Sequence, residues 1–242
     1  MAIEIKMSSQ IVVDGGVKIL TFGESGMGKT TLIATAPRPL LISAESGLIT
    51  LEKSNLDRIY GPTGMPYVTD IPVIEVTTLN DVIDALHWCE NPANAQHFET
   101  VGLDSLTEIA EKCLSNAKKG VKDPRQAYGT LIDEMGELVR QFRDLPNKHV
   151  YMSAKLGKEK DEVSGVTMFA PTMPGSKLAQ GLPYFFDEVF RLNVNKDQAG
   201  NQYRYLQTQP EFNSISKDRS GKLAAVEVPH LGYVINKIKG IA

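Results

Sequence analysis

The sequence feature that most limits the possible folds is a glycine-rich octapeptide, Gly-Glu-Ser-Gly-Met-Gly-Lys-Thr, at residues 23–30. It fits the pattern G-x-x-x-x-G-K-[ST], in which glycines let successive backbone N–H groups point into one hollow that holds phosphate oxygens. A buried strand is predicted before it over 17–22, and a helix is predicted after it over 31–36, ending at Pro37. A phosphate-binding loop needs this context, because the helix N-terminus adds partial positive charge. The chain is therefore predicted to bind a nucleotide.

The loop residues have separate expected roles. The residues predicted to hold the nucleotide are Gly23, Glu24, Ser25, Gly26, Met27, Gly28, Lys29, Thr30 and Thr31. Lys29 is expected to reach the β- and γ-phosphate oxygens and to act in catalysis, and the Thr30 hydroxyl is expected to complete the shell of a Mg²⁺ ion. ATP and Mg²⁺ are thus the predicted cofactors. The alternative, a chance match to the pattern, is disfavoured by the flanking strand and helix.

Length and composition limit the domain organisation. A chain of 242 residues with 42% hydrophobic residues can bury the core of one α/β domain. We predict a single domain over 1–242, with short strands in 1–16, a core over 17–222 and a C-terminal tail over 223–242. Strands are expected at 3–5 and 11–13 within the N-terminal part.

Charge and cysteine usage limit the partners and the compartment. The net charge of −3 and the pI near 5.9 argue against a globally basic surface, so any contact with DNA must come from a local patch. Cys89 and Cys113 both fall in predicted helices and are expected to be core residues, which fits a reducing compartment. No apolar leader or membrane-spanning run occurs in the sequence, so we predict a cytoplasmic protein without membrane contact.

Hydrophobic periodicity and turn signals predict the remaining elements. Strands are predicted over 39–44, 72–76, 98–105, 149–153, 188–193, 202–208 and 212–215. Helices are predicted over 79–90, 106–117, 128–143 and 176–186. Loops are predicted over 53–70 and 156–175. The order is alternating β and α followed by antiparallel strands, so the predicted fold class is α/β, with a mainly parallel sheet flanked by helices and a late antiparallel extension.

Two acidic residues follow predicted strands. Asp104 ends a hydrophobic strand, where a carboxylate that organises Mg²⁺ through a water is expected beside the loop. It could also cap the helix that starts after Ser105, and the two roles are compatible. Glu45 ends the neighbouring strand, so its carboxylate is expected at the same sheet edge, where it could orient the attacking water or take its proton. The alternative for Glu45 is a solvated loop residue.

These segments resemble the motifs of a known family. Ser43-Ala44-Glu45-Ser46 and Leu103-Asp104-Ser105 are similar to the catalytic-glutamate and second metal motifs of the RecA-like P-loop ATPases. The chain looks most like the small phage-encoded, core-only recombinases that act in single-strand annealing. The resemblance covers about residues 17–222. It implies a RecA-like P-loop NTPase core, DNA-stimulated ATP hydrolysis with Glu45 as the catalytic glutamate, and Asp104 at the metal.

A late basic segment resembles a further family element. Lys217-Asp218-Arg219-Ser220-Gly221 is similar to the strand whose two cations reach the γ-phosphate bound to the next subunit of a RecA-like filament. The resemblance implies catalytic roles for Lys217 and Arg219 across an interface, and hence a homo-oligomer, either filament or ring. The alternative is a solvated turn before Gly221. The glutamine or histidine that usually senses the γ-phosphate is not matched, because that strand ends Ser153-Ala154-Lys155, and Ser153 and Lys155 both stay open for the role.

Contact with DNA rests on one segment. The candidate DNA-binding residues are Lys155, Lys158, Lys160, Phe169 and Lys177. Neighbouring acids cancel much of that charge, and a hairpin packed on the core is the alternative for Phe169. The predicted function is an ATP-dependent recombinase or annealing protein that binds single-stranded DNA, with a single-strand binding protein as a further candidate partner and the host cytoplasm as its location if phage-encoded. The alternatives are a hexameric helicase or packaging-type motor, and a regulatory nucleotide switch without DNA.

Overall fold

The computed structural model describes residues 5, 7, 15–45, 47–160, 162–163, 165–211 and 213–241. Of the N-terminal strands predicted over 3–5 and 11–13, only Ile5 is among the described residues, and it lies outside any strand. The remainder of that prediction lies outside the described residues.

The elements follow the predicted alternation. The strands are β1 (Lys18–Gly23), β2 (Pro39–Ser43), β3 (Val73–Glu75), β4 (Thr100–Asp104), β5 (His149–Lys160), β6 (Thr167–Thr172), β7 (Glu188–Lys196), β8 (Gln202–Gln207), β9 (Lys217–Asp218) and β10 (Val226–Glu227). The helices are α1 (Lys29–Leu32), α2 (Lys53–Tyr60), α3 (Leu79–Glu90), α4 (Pro92–Ala95), α5 (Leu106–Lys119), α6 (Pro124–Arg143), α7 (Ser176–Gly181) and α8 (Leu231–Lys239). Short 3-10 turns lie at Ile33–Thr35, Leu48–Leu51, Gly61–Thr63 and Leu182–Phe185.

The ten strands of the described residues belong to one sheet, with the order β10-β8-β7-β1-β5-β4-β2-β3, while β6 pairs with β5 and β9 with β7. The six strands from β7 to β3 in that order run parallel, and β1 lies between β5 and β7. The antiparallel pairs extend this core: β8 and β9 pair with β7, β10 pairs with β8, and β6 pairs with β5. The predicted α/β class, a mainly parallel sheet flanked by helices with an antiparallel extension, is confirmed.

Helices α3, α5 and α6 cover one face of the sheet. Along α5 and α6, buried residues recur at helical spacing and pack in one hydrophobic cluster with the strands. Cys89 and Cys113 are buried in this cluster as free thiols, as predicted. Helix α6 begins four residues before the predicted Tyr128, because Asp123 accepts a hydrogen bond from the Arg125 N–H at 2.9 Å and Pro124 takes the first helical position.

The opposite face is covered by α1 and α8. Leu32 of α1 and Leu231 and Val234 of α8 belong to one buried cluster with β1. The N–H of Leu231 also donates to Thr35 Oγ1 at 2.8 Å, which ties the end of the chain to the turn that follows α1. The segment predicted as a tail therefore forms β10 and α8 and contributes to this cluster. None of the described helices is long and apolar enough to cross a membrane.

The prediction of a loop over 53–70 is wrong for its first half. Helix α2 fills Lys53–Tyr60, and a 3-10 turn continues it over Gly61–Thr63. Leu56 and Tyr60, four residues apart, are buried against Ala34. The glycines and prolines after Tyr60 mark the end of this short amphipathic helix and not a loop through the whole segment.

The predictions over 156–175 and 212–215 are also wrong. Strand β5 continues to Lys160 and pairs with β6 as an antiparallel hairpin, from Lys155 opposite Thr172 to Lys160 opposite Thr167. Such a hairpin can be solvated, so its charged side chains need no burial. In 212–215 the described residues form isolated bridges at Ser214 and no strand.

A buried carboxyl group lies at the start of β7. Glu188 is 1% exposed, and its Oε2 has no hydrogen-bond partner among the described residues. Its register partner in β9 is Asp218. Burial first, and then the neighbouring Asp218 carboxylate, raises the pKa of Glu188 to about 8. The Glu188 carboxyl group is therefore neutral in the folded protein at mildly acidic pH.

This pKa predicts a pH-dependent stability. The ordinary pKa of 4.5 applies in the unfolded chain, so ionisation of Glu188 there lowers the free energy of unfolding as the pH rises from 4.5 towards 8. We expect Glu188→Gln to remove part of that loss. Its free energy of unfolding should exceed that of the wild type by about 1–3 kcal/mol at pH 8 and equal it near pH 5. Urea unfolding at both pH values measures the difference, with the exposed Glu90→Gln as control. The same pH dependence in Glu188→Gln and the wild type would contradict this pKa.

Candidate active site

The glycine-rich loop joins β1 to α1 with a backbone that needs glycine. Gly26 and Gly28 have φ values of 75° and 97°, in the left-handed region where a side chain is strained. Gly23 is required for a different reason, because a Cβ atom there would lie 2.9 Å from the Leu192 carbonyl oxygen of β7. The predicted loop is therefore bent into the open turn that phosphate binding requires.

Lys29 is the cation at the centre of this turn. Its Nζ donates to the backbone carbonyls of Gly23 and Glu24, both at 2.9 Å. Burial lowers the pKa of Lys29, and the carboxylates of Asp104 and Glu45 oppose that shift. These three side chains line one cavity of about 600 Å³ over the loop. The structure thus brings together Lys29, Asp104 and Glu45, which were predicted for phosphate binding, metal binding and the activation of water.

Asp104 is held by two hydroxyl groups. The Thr30 hydroxyl donates to Asp104 Oδ2 at 2.5 Å, and the Ser153 hydroxyl donates to Oδ1. The residue is 2% exposed, and this burial raises its pKa while the two hydroxyl groups act in the opposite direction. Ser153 lies within β5, at the position where the predicted strand over 149–153 ended and the γ-phosphate sensor was left open. Its hydroxyl fixes the orientation of the Asp104 carboxylate.

The Thr30 and Asp104 oxygens fit a magnesium ion. Hydroxyl and carboxylate oxygens are hard ligands, and Mg²⁺ is usually held by one or two protein oxygens together with phosphates and water. The described residues contain no group of three His, Cys, Asp or Glu side chains that could hold a metal by themselves. This donor set therefore suits an ion that arrives with a nucleotide.

Glu45 is fixed beside Asp104. Strand β2 pairs in parallel with β4, with Ser43 opposite Asp104, so both carboxylates lie at the same edge of the sheet. The Ser105 hydroxyl donates to Glu45 Oε1 at 2.6 Å. Lys112 donates to the Ala44 carbonyl at 2.7 Å, which anchors the backbone just before Glu45. Glu45 is therefore an oriented side chain in the cavity and not a freely solvated loop residue.

Several residues of the site were not predicted. The cavity over the loop is also lined by Arg58 of α2 and Arg204 of β8. Tyr151 of β5 is buried, and its hydroxyl donates to the Lys29 carbonyl at 2.7 Å, which supports the start of α1. A signal for Tyr151 existed, because a tyrosine in a buried strand needs a hydrogen-bond partner for its hydroxyl. The two arginines carry no such local signal.

The candidate DNA-binding residues do not form one patch. Lys155 lines the cavity and pairs with Glu108 and Glu111 at 3.3 and 3.2 Å. Lys158 pairs with Glu24 of the loop at 2.6 Å. The Phe169 ring is covered on one face by the Arg191 guanidinium, 3.8 Å from the ring centroid. Lys160 and Lys177 are exposed at the end of β5 and in α7.

Lys217 and Arg219 lie away from this cavity. Strand β9 pairs with the start of β7, and Glu188 there is level with Ile19, near the beginning of β1. Lys217 donates to the Pro183 carbonyl at 2.7 Å, and Arg219 pairs with the Asp187 carboxylate at 3.4 Å. Neither is among the described residues that line the cavity over the loop of the same chain.

Comparison with known proteins identifies one family that this chain matches. No curated protein matches this sequence. A KaiC-like protein from the hyperthermophilic archaeon Pyrococcus horikoshii OT3 has a similar structure, with 13% sequence identity, 84% of each chain covered and a TM-score of 0.43. Residues 15–220 match the family described as AAA domain, which is most of the chain and includes the loop, Glu45 and Asp104. The chain therefore belongs to the AAA domain family of P-loop ATPases.

Proposed function

We propose that the protein hydrolyses ATP in complex with Mg²⁺. The observation that carries this proposal is the convergence of Lys29, Asp104 and Glu45 on one cavity over the glycine-rich loop, with Thr30 bonded to Asp104. Thr30 and Asp104 would hold the magnesium ion, which supplies positive charge next to the phosphates when bound. Lys29 would exchange its two carbonyl partners for phosphate oxygens.

Glu45 is the residue that acts on the attacking water. A water oxygen forms a bond to the γ-phosphorus, the bond from that phosphorus to the bridging oxygen breaks, and ADP and phosphate result. Glu45 accepts a proton from the water or orients it. The hydrogen bond from Ser105 occupies one of its oxygens, which holds the carboxylate in place and leaves the other oxygen for water.

Within this activity we propose a recombinase or annealing protein that acts on single-stranded DNA. The β5–β6 hairpin supports this proposal, because Lys155 at its base lines the catalytic cavity while Lys158 and Lys160 extend beyond it. Lys155 lies opposite Gly23 in the pairing of β5 with β1. Single-stranded DNA bound on the hairpin would therefore be linked to the catalytic cavity by the continuous strand β5. Phe169 adds an aromatic surface to the same hairpin.

Assembly is the second part of this proposal. Lys217 and Arg219 lie too far along the sheet from Gly23 to join the cavity of the same chain. A neighbouring copy could present both cations to the γ-phosphate, where they would neutralise charge that develops in the transition state. Hydrolysis would then require an oligomer.

The test is the ATPase rate per subunit, measured against protein concentration with and without single-stranded DNA. We expect the rate to increase with concentration and with DNA, and Arg219→Ala to abolish the concentration-dependent increase. A rate independent of concentration would contradict catalysis across an interface. A concentration-dependent rate that DNA does not change would contradict the DNA proposal and favour a regulatory switch. Closed rings in electron microscopy with ATP and DNA would favour a helicase or packaging-type motor over a filament.

A further inference from the structure

An arginine outside all the predicted motifs lies against the loop. Arg204 belongs to β8, and its side chain is on the same face of the strand as that of Leu206, which packs in the buried cluster with Leu32 of α1. A Cβ atom added to Gly28 would lie 2.9 Å from Arg204 Nη1. The guanidinium therefore occupies the space that a side chain at Gly28 would take.

This guanidinium has no anionic partner in the described part of the chain. Arg38, Arg143 and Arg219 each pair with a carboxylate, whereas no described carboxylate lies within ion-pair distance of Arg204. Arg204 is nonetheless half-buried beside Gly28, next to the cationic Lys29. A partly buried cation without a counter-charge is costly, and an anion in the cavity would remove that cost.

The position of Arg204 indicates which part of the anion it contacts. Strand β8 lies on one side of β1 in the sheet, and the strands that carry Asp104 and Glu45 lie on the other side. Arg204 lines both the cavity over the loop and an adjoining cavity of about 1000 Å³, whose described lining includes Met27, Tyr60 and Pro229 but neither acid. The guanidinium is thus at the end of the site away from the hydrolytic carboxylates.

We propose that Arg204 binds the α- and β-phosphates of the nucleotide in the same subunit, and that the nucleoside extends into the adjoining cavity. This inference rests on the proposed ATPase function. The forked guanidinium can donate two hydrogen bonds to phosphate oxygens from the side of the loop opposite to Glu45. Arg204 is therefore a determinant of nucleotide affinity that acts on ADP and ATP alike, and Lys29 and Glu45 remain the residues directed at the γ-phosphate.

Titration of the 242-residue chain with the fluorescent nucleotides mant-ADP and mant-ATP tests this assignment. Arg204→Ala should weaken both affinities by a similar factor of about 10 to 100, and Arg204→Lys should recover part of the loss. In steady state the KM for ATP should rise while kcat changes less than about threefold. Arg125 is an exposed arginine at the start of α6, and Arg125→Ala is the matched control. It should leave the affinities for mant-ADP and mant-ATP, the KM and the kcat unchanged.

The outcomes separate this inference from the proposed function. Unchanged affinity for mant-ADP in both Arg204 variants overturns the inference. A loss confined to mant-ATP also overturns it, because it would place Arg204 at the γ-phosphate. Thermal unfolding without nucleotide shows whether Arg204→Ala has damaged the fold, in which case Arg204→Lys decides. Lys29→Ala in the same titration tests the nucleotide site itself, so its failure to weaken binding would contradict the proposed function independently of Arg204.

Discussion

Replacing Lys29 by alanine is expected to reduce the affinity for ATP by about 100-fold or more and to abolish hydrolysis. The Lys29 ammonium is the cation closest to the loop carbonyls, since it donates to Gly23 and Glu24 at 2.9 Å. Charge-assisted hydrogen bonds to phosphate in a partly water-excluded cavity are among the strongest in proteins, and alanine has no donor to replace them. The γ-phosphate would then face Asp104 and Glu45 without the ammonium charge of Lys29.

The same substitution should leave the fold intact. Burial lowers the pKa of Lys29, which means that the ammonium ion is held at a cost in the nucleotide-free protein. We therefore expect thermal unfolding of Lys29→Ala without nucleotide to match that of the wild type. Calorimetric titration with ATP and Mg²⁺ measures the affinity, and Lys196→Ala, an exposed lysine at the end of β7, is the control. Undiminished binding of ATP by Lys29→Ala would contradict the assignment of residues 23–30 as the phosphate-binding loop.

The loop and its two acids could be predicted because their signals are local. Gly26 and Gly28 are required by their own backbone angles, and a pattern of eight residues is enough to show this. Asp104 and Glu45 stand directly after hydrophobic strands, and parallel strands bring their carboxyl ends to one edge of the sheet. No knowledge of distant contacts was needed to place either carboxylate beside Lys29.

Residues that join the site through distant contacts could not be predicted. Arg204 reaches Gly28 only because β8 folds back beside β7, and the alternating residues Tyr203, Arg204 and Tyr205 would look the same in any half-exposed strand. Ser153 was one of two open candidates for the γ-phosphate sensor near the end of the predicted strand over 149–153. Its contact with Asp104 depends on β5 being inserted between β1 and β4, which strand patterns alone do not reveal.

The wrong loop predictions have a common physical cause. In α2 and in the β5–β6 hairpin few side chains are buried, so these segments contain few of the apolar residues from which helices and strands are predicted. Glycines, prolines or a run of charges then dominate the pattern. For the hairpin this matters to the proposed function, because a structured extension of β5 would transmit contact with DNA to Lys155 better than a loose loop would.

Glu45 offers the clearest separation of binding from chemistry. Its carboxylate lines the cavity with Asp104 but accepts its one described hydrogen bond from the Ser105 hydroxyl. Glutamine at this position has the same shape and can accept the same hydrogen bond, but it cannot take a proton from water. The substitution therefore removes the proposed catalytic property while the contacts that hold the side chain remain.

We expect Glu45→Gln to slow ATP hydrolysis by about 10² to 10⁴-fold, the usual contribution of general base catalysis, while the affinity for ATP changes little. Single-turnover hydrolysis of radiolabelled ATP by protein in excess measures the chemical step, and mant-ATP titration measures binding. Glu137→Gln, an exposed glutamate of α6, is the control and should hydrolyse ATP at the wild-type rate. A near-normal single-turnover rate in Glu45→Gln would assign the activation of water to another group. A rate loss that simply follows weaker ATP binding would instead make Glu45 a binding residue, because the two carboxylates at this sheet edge would then act only through the charge they place near the nucleotide.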